Sequence, residues 1–385
     1  MDFTPTDEQQ AVRELAARIF GDLAVPERLA AAGTGCDAEL WKALCGAGLP
    51  AAVEETGLVG LVLALEEQGR TTAQTPFAVT CAYGVLAVAR HGTDEQRERL
   101  LPGLRAGSAV MTGAFPAGGV RASQGPGPGR GLLTGTVAVV PWLREAELVL
   151  VADEDRALWV VRAGDARVEP VETTAPWAAG RLVLDEAPGE RLGGAGAYGD
   201  VLGLARTAFA GLQAGVCAGS LARAVEHTTT REQFGRPLAT NQGVQLRAAD
   251  AHMDTEAVRV TAYEAAWRYD EGLPAAPHAL TAAWWAAEAG TRVVHAGQHL
   301  HGGLGADLDH PVHRHFLWGR QLAAYLGCGG ELLAELGDAL AGPDDAAEGP
   351  RSDQQGPERQ RTGPPDAERQ GPGRQKTEQQ KEARA

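Results

Sequence analysis

The chain of 385 residues has no C-x-x-C pair, no long hydrophobic run and no excess of basic residues. Its five cysteines (Cys36, Cys45, Cys81, Cys217 and Cys328) lie far apart. That reads as buried free thiols in a reducing cytosol, not as a disulfide framework. The longest apolar runs, such as "LVGLVLAL", are far too short to span a bilayer. The N-terminus is acidic and amphipathic, unlike a secretory signal. A formal net charge of −15 argues against general affinity for nucleic acid or anionic membrane. Walker, G-x-S-x-G and H-E-x-x-H sequences are missing too. A cytoplasmic protein is expected.

What is present supports a sizeable core, with 44% apolar residues. In "TPTDEQQAVRELAARIF", Thr6 and Gln9 have capping-box spacing, and Val12, Leu15, Ala16, Ile19 and Phe20 share one helix face. Further helical patterning makes residues 1–107 an N-terminal helical domain. Residues 108–197 change in texture. Short runs such as "GLLTGTVAVV" and "AELVLVAD", separated by turn residues, predict a small β domain. From 198 to 342 the helical segments are long and uncapped, which suits an antiparallel four-helix bundle. Residues 343–385 contain no aromatic residue and no Val, Ile, Leu or Met, with eight basic and nine acidic residues. Such a tail cannot bury enough apolar surface to offset its ordering entropy and is expected to be disordered.

Several segments carry candidate chemistry. "GPGPGRG" at 125–131 is glycine-rich, but its prolines fit a turn better than a phosphate loop. His295, His299, His301, His310, His313 and His315 fall close together, yet without the Cys or the spacing of a metal site. Polar contacts at a bundle end are the better reading. "TTTREQFGRPLATNQ" gathers Arg231, Gln233, Phe234 and Gln242 around a Gly-Arg-Pro break between two long helices. A guanidinium, an aromatic face and amides together suit a phosphate or flat ring system; a plain helix–helix turn would use them as well. "HLHGGLG" ends a helix with glycines that allow close approach of a ligand or simply terminate it.

Together these features resemble the acyl-CoA dehydrogenase family over residues 1 to about 341. "REQFGRPLATNQGVQLRAADAHM" is similar to its R-x-x-F-G signature with a downstream Gln and Ala-Asp. "HLHGGLGADLDHPVHRHF" is similar to its Gly-Gly-x-Gly segment and acidic-x-Pro turn. The resemblance implies a mainly α fold with a middle β-barrel domain and a C-terminal four-helix bundle. It also implies FAD and α,β-dehydrogenation of an acyl-CoA thioester, in which a carboxylate removes the α-proton and the flavin accepts hydride. Electron-transfer flavoprotein would be the acceptor. Arg231 and Phe234 would then contact the FAD of a neighbouring subunit, Arg231 at the pyrophosphate. Gln233 would flank them, and Gln242 would lie near the adenosine half. Gly302 and Gly303 would let backbone approach the ADP portion, beside His299, which stands where the family usually has Gln.

The catalytic residues depart from the family. Its usual Tyr-Glu-Gly-Thr run reads Tyr325-Leu326-Gly327-Cys328, so Leu326 replaces the base. The alternative Leu-Glu-Arg site reads Leu204-Ala205-Arg206, so Ala205 empties it as well. Glu331, five residues past Leu326, would be rotated by about 140° on a continuous helix and is a poor substitute. The segment beside the flavin ring is "TGAFPAGGV", in which only Pro116 and small residues match. No metal site is expected. This combination most resembles the partner subunit of actinobacterial heterotetrameric dehydrogenases of steroid-side-chain type, whose second subunit carries the Glu. A self-sufficient flavoenzyme of the same fold, flavin monooxygenase-like or with an unrecognised base, and a non-catalytic scaffold or acyl-CoA binder are the alternatives.

Overall fold

The computed structural model describes residues 4–308 and 310–341. The expected disordered tail, 343–385, lies outside the described residues.

Helix α1 (Asp7–Leu23) begins with the anticipated reciprocal Thr6–Gln9 box and buries Val12, Ala16 and Phe20. Short helices α2 (Pro26–Ala31) and α3 (Ala38–Gly46) lead to α4 (Leu49–Thr71). The rod α5 (Phe77–Val79), a π-helical turn (Thr80–Leu86) and α6 (Ala87–His91) follow, then α7 (Asp94–Ala106). Helix α4 kinks at Gly57, whose φ of 72° is one that side chains disfavour. The kink frees new backbone N–H groups, and Asp270 accepts from two of them, Leu58 (2.8 Å) and Val59 (2.9 Å). A carboxylate more than two hundred residues away thus serves as the cap.

Seven strands form the middle unit: β1 (Met111–Ala114), β2 (Val120–Gln124), β3 (Arg130–Val140), β4 (Leu148–Ala152), β5 (Leu158–Arg162), β6 (Arg167–Pro170) and β7 (Gly180–Leu192). They make one sheet in the order β1-β4-β5-β7-β3-β2, with β6 also on β7. Only β1 and β4 run parallel. The ladder runs from β1 to β2, and no strand pair joins those two ends among the described residues. The proline-rich 125–131 segment is the β2–β3 hairpin turn, as expected.

Four long or paired helical stretches complete the chain: α8 (Ala197–Thr230), α9 (Gln242–Asp270), α10 (Ala276–His301), and α11 (Val312–Tyr325) with α12 (Gly329–Ala341). Between α8 and α9 lies a small hairpin of β8 (Glu232–Gln233) and β9 (Arg236–Pro237). Helix α8 is long and apolar because it is the bundle's central rod and is packed on nearly all sides. Gly69 of α4 and Gly215 of α8 bring these two backbones into contact, and a Cβ on either would collide with the opposite main chain. Glu66, fully buried on α4, ties the N-terminal unit to α9. It accepts from Arg259 (2.6 Å) and from the Tyr263 hydroxyl (2.5 Å).

Candidate functional site

The two vacant base positions meet in space. Leu326 closes the C-terminus of α11 and is 6% exposed; Ala205 sits inside α8 and is fully buried. The α11 helix does not continue to Glu331. The chain breaks at Gly327, with a φ of 118°, before α12 starts. The rotation expected for an unbroken helix therefore does not apply. The Glu331 carboxylate instead accepts from the Cys328 backbone N–H (3.1 Å) at the start of α12.

Arg206, next to Ala205, connects the empty positions. Its side chain is 7% exposed. Nε and Nη2 donate to the Leu326 carbonyl (both 3.4 Å), while Nη1 and Nη2 donate to Glu335 of α12 (2.8 and 2.7 Å). This bidentate pair holds the Glu335 carboxyl below its ordinary range. The acid paired with Arg206 is thereby stabilised as an anion and is a weak proton acceptor. On the outer side of the pair, a cavity of about 610 Å³ is lined by Arg156, Arg191, Tyr198, Leu202 and Leu280.

The crevice between sheet and bundle is packed with rings. Phe115 stacks on Tyr83 (5.1 Å between centroids) and on Tyr198 (5.8 Å). Tyr325 packs edge-on to Phe209 (4.8 Å), and the Tyr83 and Tyr325 hydroxyls share a hydrogen bond of 3.0 Å. Trp177 contacts Tyr325, Trp318 and Trp142. Tyr83, Phe115, Phe209, Trp142, Trp177 and Trp318 are all buried. Burial pushes the Tyr83 and Tyr325 hydroxyls well up, so neither serves as a base near neutral pH.

The candidate cofactor residues have the opposite character. Arg231 follows the last residue of α8, and its guanidinium makes no hydrogen bond or ion pair among the described residues. The β8–β9 hairpin then turns through Phe234 (φ 58°) and Gly235 (φ 75°). Phe234 is 97% exposed. Gln233 donates only to the neighbouring Glu232 carbonyl (2.9 Å), and Gln242 opens α9 fully exposed. His299 is exposed near the end of α10; Gly302 and Gly303 start the following turn, with nothing within 4 Å of a Cβ built on either. The arm and the glycine turn share one end of the bundle, because His227 of α8 stacks on His301 of α10 (4.8 Å). The fourteen-residue helix α11, about 20 Å long, separates that end from Leu326. Sequence reasoning thus identified two separate places. It missed Arg206, Glu335 and the aromatic packing; the signal within reach was Arg206, retained beside the vacated Ala205.

An all-helical N-terminal unit, a middle sheet and a long-helix bundle with an outward R-x-x-F-G arm define a recognisable class. The acyl-CoA dehydrogenase N-terminal domain matches residues 6–108, and the C-terminal domain matches residues 193–340. Acyl-CoA dehydrogenase FadE27 of Mycobacterium tuberculosis is 35% identical over 368 residues, covering 88% of this chain and 98% of that protein. The chain belongs to the acyl-CoA dehydrogenase family, whose cofactor is FAD. Among solved structures, the Tcur3481–Tcur3483 steroid ACAD G363A variant is similar with a TM-score of 0.82 and 41% identity, covering 87% of this chain and 98% of that one. The ChsE4–ChsE5 complex from Mycobacterium tuberculosis has a TM-score of 0.84 and 33% identity, covering 89% and 100%.

Proposed function

We propose that this chain is the base-lacking subunit of a hetero-oligomeric, FAD-dependent acyl-CoA dehydrogenase, completing a cofactor site whose catalytic Glu lies on a second, different chain. The observation that carries the reading is an asymmetry. Both base positions are apolar and bridged by Arg206, and the adjoining crevice is packed with rings, whereas the arm stands outward with the Arg231 guanidinium unpaired among the described residues and Phe234 exposed. The similarity to heteromeric complexes supports it.

FAD supplies the hydride acceptor when bound. The arm's chemistry fits its ADP half: an exposed guanidinium, an exposed aromatic face, a free amide, and a glycine turn open to close approach. Arg231 pairs with the pyrophosphate oxygens of the FAD held by the partner. Phe234 covers an apolar part of it, flanked by Gln233. Gln242 bonds the adenosine half, and Gly302, Gly303 and His299 border the ADP portion. The substrate is an acyl-CoA thioester, of steroid type by analogy with the similar complexes, and electron-transfer flavoprotein is the acceptor. The cytoplasm is the proposed location.

The test is expression alone and with a base-carrying partner. Alone, the chain purifies without flavin and oxidises no acyl-CoA. With the partner it forms a yellow, active complex, from which Arg231→Ala removes flavin. A yellow, active chain on its own refutes the proposal.

A further inference from the structure

Three imidazoles join the root of the arm to the glycine turn. His227 is one turn before Arg231, His301 immediately precedes Gly302, and His310 lies just before α11. His301 is 4% exposed and sits between the other two, with ring centroids 4.8 Å from His227 and 5.0 Å from His310. Among the described residues no His, Cys, Asp and Glu group is placed to hold a metal ion. The packing is therefore imidazole on imidazole, in which positive charges on neighbouring rings repel.

The hydrogen bonds fix where protons can sit. His301 Nδ1 faces the Gly297 carbonyl at 2.7 Å, so that nitrogen carries the proton and donates. His310 Nδ1 accepts from the backbone N–H of Val312 (3.3 Å), the first residue of α11. Protonating Nδ1 of His310 breaks that bond and leaves the helix N-terminus facing a cation, against its dipole. The surrounding charges are mostly basic. Arg231, just past the end of α8, acts on His227; Arg223 of α8 and His313 of α11 act on His310. The opposing acids are Asp307 in the turn, and Glu226 beside Arg223.

We propose that His227 and His310, packed on either side of His301, form a proton-released clasp that locks the arm to the glycine turn while those two are neutral and frees it when they are protonated. The inference rests on the cofactor reading only for its functional consequence, weaker flavin retention in acid. Burial and the neighbouring imidazoles push His227 and His310 below their ordinary value. Groups with depressed folded-state values contribute stability that is complete above the unfolded value near 6.5 and declines as pH falls below it. Added positive charge would also attract a pyrophosphate. That attraction acts across exposed, screened surface, whereas the repulsion acts between half-buried rings in contact, so release wins.

The test uses the complex with its partner, at about pH 7.5 and about pH 5.5. It reads hydrogen exchange over 223–233 and 299–313, corrected for intrinsic rates, and flavin lost on filtration. Wild type should lose protection about tenfold more in acid, with faster flavin loss; His227→Gln/His310→Gln should change less than about twofold. An equal acid response in both proteins overturns the clasp. Single His310→Gln gives an intermediate response if the double variant fails to assemble, and an unchanged response there also overturns it. Acid-dependent protection without flavin at either pH supports the clasp while refuting the cofactor reading.

Discussion

Replacing Leu326 with Glu restores the residue type the family uses, and it should still not make this chain an enzyme. Leu326 is almost fully buried, at the edge of a cavity of about 490 Å³ that Pro116, Tyr198 and Arg206 also line. Removing it forfeits about 2 kcal/mol of apolar burial. The new carboxylate must also be desolvated, which costs several kcal/mol before pairing. Arg206 lies against the Leu326 carbonyl and offsets part of that cost, but only by loosening its bidentate bond to Glu335. The net loss is about 2–4 kcal/mol. A carboxylate held by a guanidinium is a weak base, so the 10²–10⁴-fold gain of general-base catalysis is withheld. The assays are acyl-CoA oxidation by the isolated variant and thermal unfolding by calorimetry. A variant that oxidises acyl-CoA without a partner would refute the argument, because it would show that Arg206 does not trap the acid.

The remaining predictions concern the other structural groups. Glu335→Gln leaves a buried guanidinium half-paired, and with Glu335 half exposed to solvent the loss should be about 1–2 kcal/mol, read as a lower urea midpoint. His315 is fully buried, its Nε2 facing the Arg70 carbonyl at 2.9 Å, and burial lowers its pKa from 6.5 to about 4. Its stability contribution is complete above 6.5 and declines as pH falls toward 4, by up to about 3 kcal/mol. His315→Gln should flatten that part of the stability–pH curve, and an unchanged slope contradicts the assignment. Phe234→Ala should lower flavin content severalfold with the melting temperature of the isolated chain unchanged within about 1 °C, because the ring touches solvent and not the core.

Local patterns in the chain carried the fold. The Thr6–Gln9 box, the apolar face of α1, the alternating strand runs and the long rods α8 and α9 are all set by neighbours in sequence, and periodicity reports them directly. The fourth bundle helix was harder. Its break at Gly327 depends on one left-handed glycine, and a helical pattern resumes within three residues on the other side. The vacant base positions were legible because a family pattern marks where a Glu belongs. What fills the vacancy was not. Arg206 and Glu335 are far apart in sequence, and the crevice draws Tyr83, Phe115, Trp177 and Tyr325 from separate parts of the chain to meet Tyr198 and Phe209 of α8. Each of those aromatics alone reads as ordinary core. The histidine cluster was visible as composition, but His227, its third member beside His301 and His310, lies 74 residues before His301 on another helix.

The central claim is that this chain completes a flavin site without housing one of its own. Flavin stoichiometry tests it most directly: the FAD content of the complex with a base-carrying partner, measured by absorbance after denaturation and set against the amount of each chain. A crevice filled with rings on this side predicts half as many flavins as chains. One flavin for every chain would contradict the account.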